Sequence, residues 1–322
     1  MAFVTGGTGF VGGRLIRMMV DTGWQVRALH RSPMDAAKLA TLGAVPVQGD
    51  LDDVAALSLG IGDADVVFHA AAMFKVWGTA EAFERANVEG TRNVLAAAKA
   101  QGVKRFIKIG AGSVVMGDGK PMLGVTEDAP MSFPHWAPYS ASKGRAQQLV
   151  IDADDPAGMR TTVILAPMIW GARMPLIYET IENVKAGKFR WPDGGKSMMS
   201  TAHVDNICHA ALLAAEKANG GRAYFVTDGK DRSLREVMGS LLATQGVDAG
   251  DKSAPVGAAW VMATVMETAW RSLRLKGEPP LTRQMLRLVG YDFTLSDRRA
   301  RDELGYAPIV TWEEGLQEMR GS

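Results

Sequence analysis

The sequence predicts an α/β fold: a doubly wound parallel sheet with a smaller C-terminal region interleaved into it. Three observations carry this prediction. Short β-rich apolar runs recur through the first half, separated by segments of helix length. That alternation implies βαβ crossovers and a sheet covered on both faces. The first run ends in a glycine array, Gly6-x-x-Gly9-x-x-Gly12. After Pro167 the alternation gives way to an irregular pattern rich in Met, Trp, Pro and Gly, where a substrate region is expected.

Ala2-Phe3-Val4-Thr5 reads as the first strand, and the helix formers Arg14-Leu15-Ile16-Arg17-Met18-Met19 follow the glycines. One glycine allows a tight turn, one lets the main chain approach a pyrophosphate, and one lets helix and strand pack closely. The helix N-terminus then offers free N–H groups and a partial positive charge to phosphate. A bare glycine-rich turn is the plainer alternative, but the strand before and helix after favour a dinucleotide cradle of Gly6, Thr8, Gly9, Phe10, Val11 and Gly12.

The second strand is Val26 to His30, the third Val45-Pro46-Val47, the fourth Asp65 to His69, the fifth Phe106 to Ile109 and the sixth Thr162 to Leu165. A helix rich in alanine and charged residues spans Glu81 to Ala100 and closes at Gly102. Tyr224-Phe225-Val226 returns as a further strand. The expected division is a dinucleotide-binding domain over 1–166, rejoined by 200–228, with a mainly substrate-binding region over 167–322.

The end of the second strand bears on cofactor choice. NAD-preferring folds of this kind place an acid there for the ribose 2′-hydroxyl. This chain has His30-Arg31-Ser32, with no carboxylate to repel a 2′-phosphate and an arginine able to bind one. NADP(H) is the expected cofactor, with NAD(H) as the alternative; a solvated loop arginine is the plainer reading of Arg31.

Composition excludes several classes. Lys plus Arg total 36 against 35 acidic residues, so no charge excess invites nucleic acid. A single cysteine, Cys208, rules out an internal disulfide framework and suits a reducing cytosol. The five histidines show no metal-ligand spacing, so no metal site is expected. No basic leader precedes the first strand, and the most apolar segment, Val256 to Trp270, is too short for a bilayer span and contains Glu267. A cytoplasmic location is expected.

Tyr139-Ser140-Ala141-Ser142-Lys143 carries the chemistry. At i, i+4 the phenol and the amine share a helix face. An ammonium beside a phenol favours phenolate, so Lys143 is expected to lower the Tyr139 pKa and make it an acid/base for a hydroxyl–carbonyl interconversion. A surface helix with a snorkelling lysine would give the same spacing; the glycine array is what makes the pair specific.

With these motifs together the chain resembles the extended short-chain dehydrogenase/reductases, a Rossmann-fold family. Within it the chain is most similar to the branch of 3β-hydroxysteroid dehydrogenases and dihydroflavonol-type reductases. The likeness runs nearly end to end. It takes in Thr5 to Gly12, Gly49-Asp50-Leu51, His69 to Ala72, Asn87-Val88-Glu89-Gly90-Thr91, the Tyr139/Lys143 pair, Pro167 to Gly171, His203-Val204-Asp205-Asn206 and Leu304 to Pro308. The resemblance implies that Asp50 and Leu51 flank the adenine and that Ala70, Ala71 and Ala72 line the cofactor, with Pro167 also beside it. It further implies that Lys143 holds the nicotinamide ribose, that Asn87 supports the site, and that a homodimer forms through helices near 81–100 and 139–153. From the residues alone, the alanines would be core packing and Asn87 a helix cap.

The family's serine, which helps polarise the substrate oxygen, falls at Gly112. The neighbouring Ser113 or backbone N–H groups are the candidates to replace it. Met73, Phe74 and Trp77, then Phe133, His135 and Trp136, then Met168, Ile169, Trp170 and Met174, sit where relatives contact substrate. So apolar a set suits a bulky hydrophobic, steroid-like alcohol or ketone better than a nucleotide sugar, although Met and Trp also fill cores. The apolar residues of 256–273 have helical spacing and a basic flank; closing the pocket or packing at a subunit interface is preferred, with peripheral membrane contact as the alternative. The expected function is an NADP(H)-dependent oxidoreductase. The rivals are a nucleotide-sugar epimerase or dehydratase and a non-catalytic NADP-binding regulator.

Overall fold

The four residues of the first strand, Ala2–Thr5 (β1), are all buried, as a strand in the middle of a doubly covered sheet must be. The computed structural model describes residues 1–117 and 120–321. Val26–His30 (β2), Val45–Gln48 (β3), Val66–His69 (β4), Arg105–Ala111 (β5), Arg160–Ala166 (β6) and Arg222–Phe225 (β7) complete a parallel sheet. Its order is β7-β6-β5-β4-β1-β2-β3. The expected doubly wound sheet forms, and the strand expected at Tyr224 joins it beside β6. β3 is the exposed edge strand. Its Pro46 is tolerated there because an edge leaves a missing N–H unneeded on one side.

The chain direction reverses between β1 and β4. From β1 it winds outward through β2 to β3, then crosses back to β4 on the other side. The helices that follow β1 and β4 therefore pack on opposite faces of the sheet, and in open α/β sheets the crevice this leaves at the strand carboxyl ends is where ligands bind.

Helices cover both faces. Phe10–Asp21 (α1) buries Leu15, Ile16 and Met19 in one core, together with Ile207, Ala210 and Ala211 of a later helix, Val204–Lys217. The opposite core contains Leu57, Val94, Ala98 and Val150, from helices Val54–Ile61, Gly90–Ala100 and Pro138–Asp152. With Pro33–Thr41 counted as α2, these are α3 (Val54–Ile61), α4 (Gly90–Ala100), α5 (Pro138–Asp152) and α6 (Val204–Lys217).

The single helix expected over Glu81–Ala100 is instead a short helix, Ala80–Phe83, then a π-helical turn, Glu84–Glu89, and then α4. The wider turn holds Asn87 and Val88 inward, both buried. Such bulges occur disproportionately at functional sites.

A third core lies beyond β6, built from Trp170, Met174, Trp191, Leu241, Trp312 and Met319. Phe10 packs against both this cluster and the α1 cluster. Arg14 of α1 donates to both Asp205 carboxylate oxygens, at 2.7 and 2.8 Å, and to Glu318. The helix that follows the glycine array is thereby fastened to the C-terminal region. The helix expected over Val256–Trp270 spans Val256–Ser272 (α7), and no described helix is long and apolar enough to cross a membrane.

Candidate active site

The glycine array forms the floor of the crevice. Gly6 has φ +75°, and a Cβ there would lie 2.5 Å from the Ala71 nitrogen, so the loops after β1 and β4 meet backbone to backbone. A Cβ on Gly12 would come within 2.2 Å of the Gly6 carbonyl oxygen. Gly9 differs: its Cβ would meet one atom, the Gly6 oxygen at 3.2 Å, and otherwise enter open space. α1 has no side-chain cap at Gly9 and no acid in its first turn. The first-turn N–H groups, Phe10 to Gly12, are thus left for an anion, and the cradle fits a pyrophosphate. Thr8 contributes its carbonyl oxygen, which accepts from the Lys38 amine at 2.6 Å. Lys38 was not visible as a site residue from sequence, because its loop partner lies far away along the chain.

At the end of β2, Arg31 is exposed and lines a cavity of about 470 Å³ with Gln48, Gly49, Asp50 and Asp53. His30 is buried and its Nδ1 lies 3.0 Å from the Ser32 carbonyl oxygen, so its ring serves the turn itself. Ser32 caps α2 by accepting from the Asp35 N–H. Leu51 packs where a Cβ on Gly90 would lie, 2.7 Å from the Leu51 Cδ1, so it touches the start of α4.

Behind β4 runs a buried polar chain. His69 Nδ1 lies 2.7 Å from Thr5 Oγ1 and its Nε2 2.9 Å from Thr91 Oγ1. Lys108 donates to Thr91 at 3.0 Å, and Thr91 donates to the Asn87 carbonyl oxygen at 2.6 Å. Burial, with Lys108 and Lys143 nearby, holds the His69 pKa well below its usual value. The imidazole is therefore neutral, and it braces β1 against α4. Ala70, Ala71 and Ala72 follow it, with Ala72 exposed.

Asn87 connects this frame to α5. Its Oδ1 accepts from the Met73 N–H at 2.7 Å, and its Nδ2 donates to Ser142 Oγ at 2.9 Å. Ser142 in turn donates to the Tyr139 carbonyl oxygen at 2.8 Å. The loop after β4 and the helix carrying Tyr139 are thus held in one register by a side chain that the sequence marked only through resemblance.

Tyr139 and Lys143 are both buried, 7% and 5% exposed, on one face of α5. Phe74 and Phe83 meet the Tyr139 ring edge-on at 5.5 and 6.0 Å. This apolar setting pushes the Tyr139 phenol upward from its usual pKa. The lowering expected from Lys143 does not appear, because burial of the phenol itself is the cause that prevails and its direction is upward. The Lys143 amine is lowered by burial to about 8 and donates to the Ile109 carbonyl oxygen at 3.3 Å. A protonated phenol beside a readily titrated amine is arranged to give a proton at neutral pH.

Gly112 opens a 3₁₀ turn, Gly112–Val115, directly after β5. A Cβ at Gly112 would lie 2.7 Å from Leu295 Cδ1. A side chain at that position would meet Leu295, on the distant strand Phe293–Leu295, and the leucine side chain would have to shift. Ser113, the next residue of the turn, is 8% exposed.

The substrate-region residues divide. Trp77 lies under the Arg271 guanidinium at 5.0 Å, and Trp136 meets Trp260 edge-on at 5.2 Å. Together with Met73 these sit near α5 and α7. Met168 and Pro167 are half-buried at the end of β6. Trp170 and Met174 are corrections: both belong to the C-terminal core, 0% and 2% exposed. The Trp170 indole donates to Asp228 at 2.6 Å and packs on His203 and Trp312. Side chains with no accessible surface offer none to a ligand. Among the described residues, His203, Asp205 and Glu318 bring ligand-type atoms within 4.8 Å of one another. Arg14 already bridges the two carboxylates and supplies the positive charge that a cation would bring.

The chain is similar to known proteins along nearly its whole length. The profile of the 3-beta hydroxysteroid dehydrogenase/isomerase family matches residues 3–254. The chain is 41% identical over 319 residues to the 4-hydroxy-2-methyl-3-oxo-4-farnesyl-3,4-dihydroquinoline-1-oxide ketoreductase of Stigmatella aurantiaca, covering 99% of this chain and 95% of that protein. It is 35% identical over 326 residues to the 2-alkyl-3-oxoalkanoate reductase of Stenotrophomonas maltophilia, covering 99% and 98%. The solved structure of a dTDP-glucose 4,6-dehydratase double mutant from Streptomyces venezuelae, with NAD bound, superposes with a TM-score of 0.76 at 22% identity, covering 100% and 96%, a likeness of fold. The chain belongs to the 3-beta hydroxysteroid dehydrogenase/isomerase family and is a nicotinamide-dependent oxidoreductase of the short-chain dehydrogenase/reductase type, acting on a hydroxyl–carbonyl pair.

Proposed function

We propose that this enzyme uses NADP(H) to reduce a ketone on a bulky hydrophobic molecule, with Tyr139 as the proton donor. The observation that carries the reading is the buried Tyr139/Lys143 pair, locked through Asn87 to the loop after β4 at the sheet's reversal point. The dinucleotide, when bound, would supply the hydride. Tyr139, kept protonated by its apolar surroundings, gives the proton to the developing alkoxide oxygen. Lys143 holds the nicotinamide ribose and replenishes that proton. Ser113 donates a hydrogen bond to the same oxygen, in place of the hydroxyl that Gly112 lacks.

The choice of NADP(H) rests on Arg31 at the end of β2, where an NAD site would carry an acid, with Lys38 adding a second cation at the rim of the glycine loop. Met73, Trp77 and Trp136 supply the apolar wall, in keeping with the farnesyl and alkyl groups in the names of the two reductases. The division into a dinucleotide-binding part over 1–166 and a substrate part after it belongs to the same reading, as does a homodimer, which light scattering measures. NADPH consumption is followed with a panel of alkyl, isoprenoid and steroid ketones. Activity that appears with one of them and falls by ~100-fold or more in Tyr139→Phe supports the mechanism. Unchanged turnover in that variant overturns it.

A further inference from the structure

Helix α7 carries large apolar side chains on its outward as well as its inward face, with Thr268 the one exposed polar residue between Val256 and Trp270. Across Val256–Ser272 only Val256, Ala263 and Glu267 are buried. On the inner face Trp260 packs on Trp136 and on Tyr291, and Glu267 pairs with Arg283 at 2.6 Å. The opposite face carries Ala258, Val261, Met262 and Val265, all exposed, with Val261 and Val265 each 64% exposed. A helix apolar on all sides is stable against water only when something covers it.

The charges around it say what. From Lys252 to Lys276 the exposed charged residues are Lys252, Arg271, Arg274 and Lys276, all cationic; Glu267 is buried with Arg283, and the exposed carboxylates that bound the stretch, Asp251 and Glu278, pair with Arg235 and Lys75. Leu273 and Leu275, 69% and 44% exposed, alternate with those cations. The chain as a whole is almost neutral, at +1, so this concentration of positive charge is local. An uncharged apolar face bordered by cations matches an acyl region bordered by anionic headgroups.

We propose that α7 and the segment to Lys276 form a docking surface for an anionic lipid bilayer, with the helix lying in the interface plane. The same surface adjoins the apolar wall of the site. Arg271 covers Trp77, and Lys75 lies 3.8 Å from Glu278, beside the 67%-exposed Phe74 whose ring meets Tyr139. A lipid-dissolved ketone would therefore enter without crossing open water. That last step rests on the reductase reading, whereas docking does not.

The test is co-sedimentation of the full chain with vesicles, without substrate, so its failure is separate from failure of the reductase reading. Vesicles of phosphatidylcholine alone are compared with vesicles containing phosphatidylglycerol, at low and at raised salt. Binding is expected to the anionic vesicles and to weaken with salt. Arg274→Gln/Lys276→Gln should reduce the partition coefficient by roughly 30-fold, at about fivefold per cation. Val261→Ser/Val265→Ser should reduce it too while leaving the melting temperature unchanged, because both side chains are already in water. No pelleting with anionic vesicles at low salt overturns the proposal. So does a solution dimer that Val261→Ser/Val265→Ser converts to monomer, since a second copy of the chain would then be what covers the helix.

Discussion

The titration of Lys143 offers the sharpest test of the proposed proton transfer. Burial lowers its amine to about 8, while the Tyr139 phenol is pushed up, so the lysine is the group that titrates in the working range. An amine of pKa about 8 is ~90% ammonium at pH 7 and ~10% at pH 9. If the ammonium must replenish the proton that Tyr139 gives up, reduction should fall by roughly ninefold between those values. The direction is fixed: the active form is the protonated one, so activity is lost as pH rises. The assay is kcat/KM for NADPH at saturating ketone, which reports the free enzyme. The decisive variant is Lys143→Arg. A guanidinium does not titrate below about pH 12, so residual activity should continue through pH 9 without the alkaline fall. Two results would refute the reasoning: a flat wild-type profile to pH 9, or an alkaline limb near pH 8 that persists unchanged in Lys143→Arg. Either would assign the ionisation to another group.

Four further outcomes are expected. Arg31→Ala and Lys38→Ala should each raise KM for NADPH by about 10- to 100-fold, the range of a lost charge-assisted bond, and leave KM for NADH nearly unchanged; equal losses for both cofactors would remove the 2′-phosphate argument. Gly112→Ser should destabilise by ~1–3 kcal/mol through overpacking against Leu295, and Leu295→Ala in the same chain should recover part of that loss in a denaturation cycle. Ser113→Ala should instead leave stability alone and lower kcat by roughly 10- to 100-fold. Lys108→Met should raise the melting temperature by a few degrees, because burial holds that amine well below its usual pKa while Thr91 keeps its other partners. The folded state binds fewer protons there than the unfolded one, so wild-type stability rises with pH toward 10, and the variant's profile should be flatter.

Much of this was legible in the sequence, and the parts that were not share physical causes. β1, the glycine array and α1 are local: a few residues fix strand, turn and helix start without help from elsewhere. Tyr139 and Lys143 were legible for the same reason, since i, i+4 spacing on a helix needs no tertiary knowledge. Lys108 was hidden because a lysine within a strand reads as an outward-facing residue. In a sheet covered on both sides there is no outward face, and Lys108 is 1% exposed. Trp170 and Met174 were misplaced because composition cannot separate a pocket wall from a core, as both want large apolar side chains. Lys38 and Leu295 act through contacts with residues distant along the chain, Thr8 and Gly112, which no local pattern reports.

Several departures from the local rules of folding gather in one part of this molecule. A π-helical turn interrupts an otherwise good helix at Asn87. Two lysines, Lys108 and Lys143, sit in the interior. A buried histidine, His69, spans two threonines instead of apolar neighbours. A glycine, Gly112, stands against Leu295 where a strand ends. Each would be a defect in a structure selected only for stability. All of them lie on β4, β5, α4 and α5 or the turn leading into α4, the elements beside the reversal of the sheet. The two buried amines tie the departures together: Lys143 depresses the Lys108 pKa, and both depress that of His69. Protonating any one of them discourages the others, so this interior carries little charge beyond that of Lys143. Its amine, lowered by burial to about 8, gains and loses a proton near neutral pH on the helix face that carries Tyr139, while Lys108 and His69 are held well below their usual values.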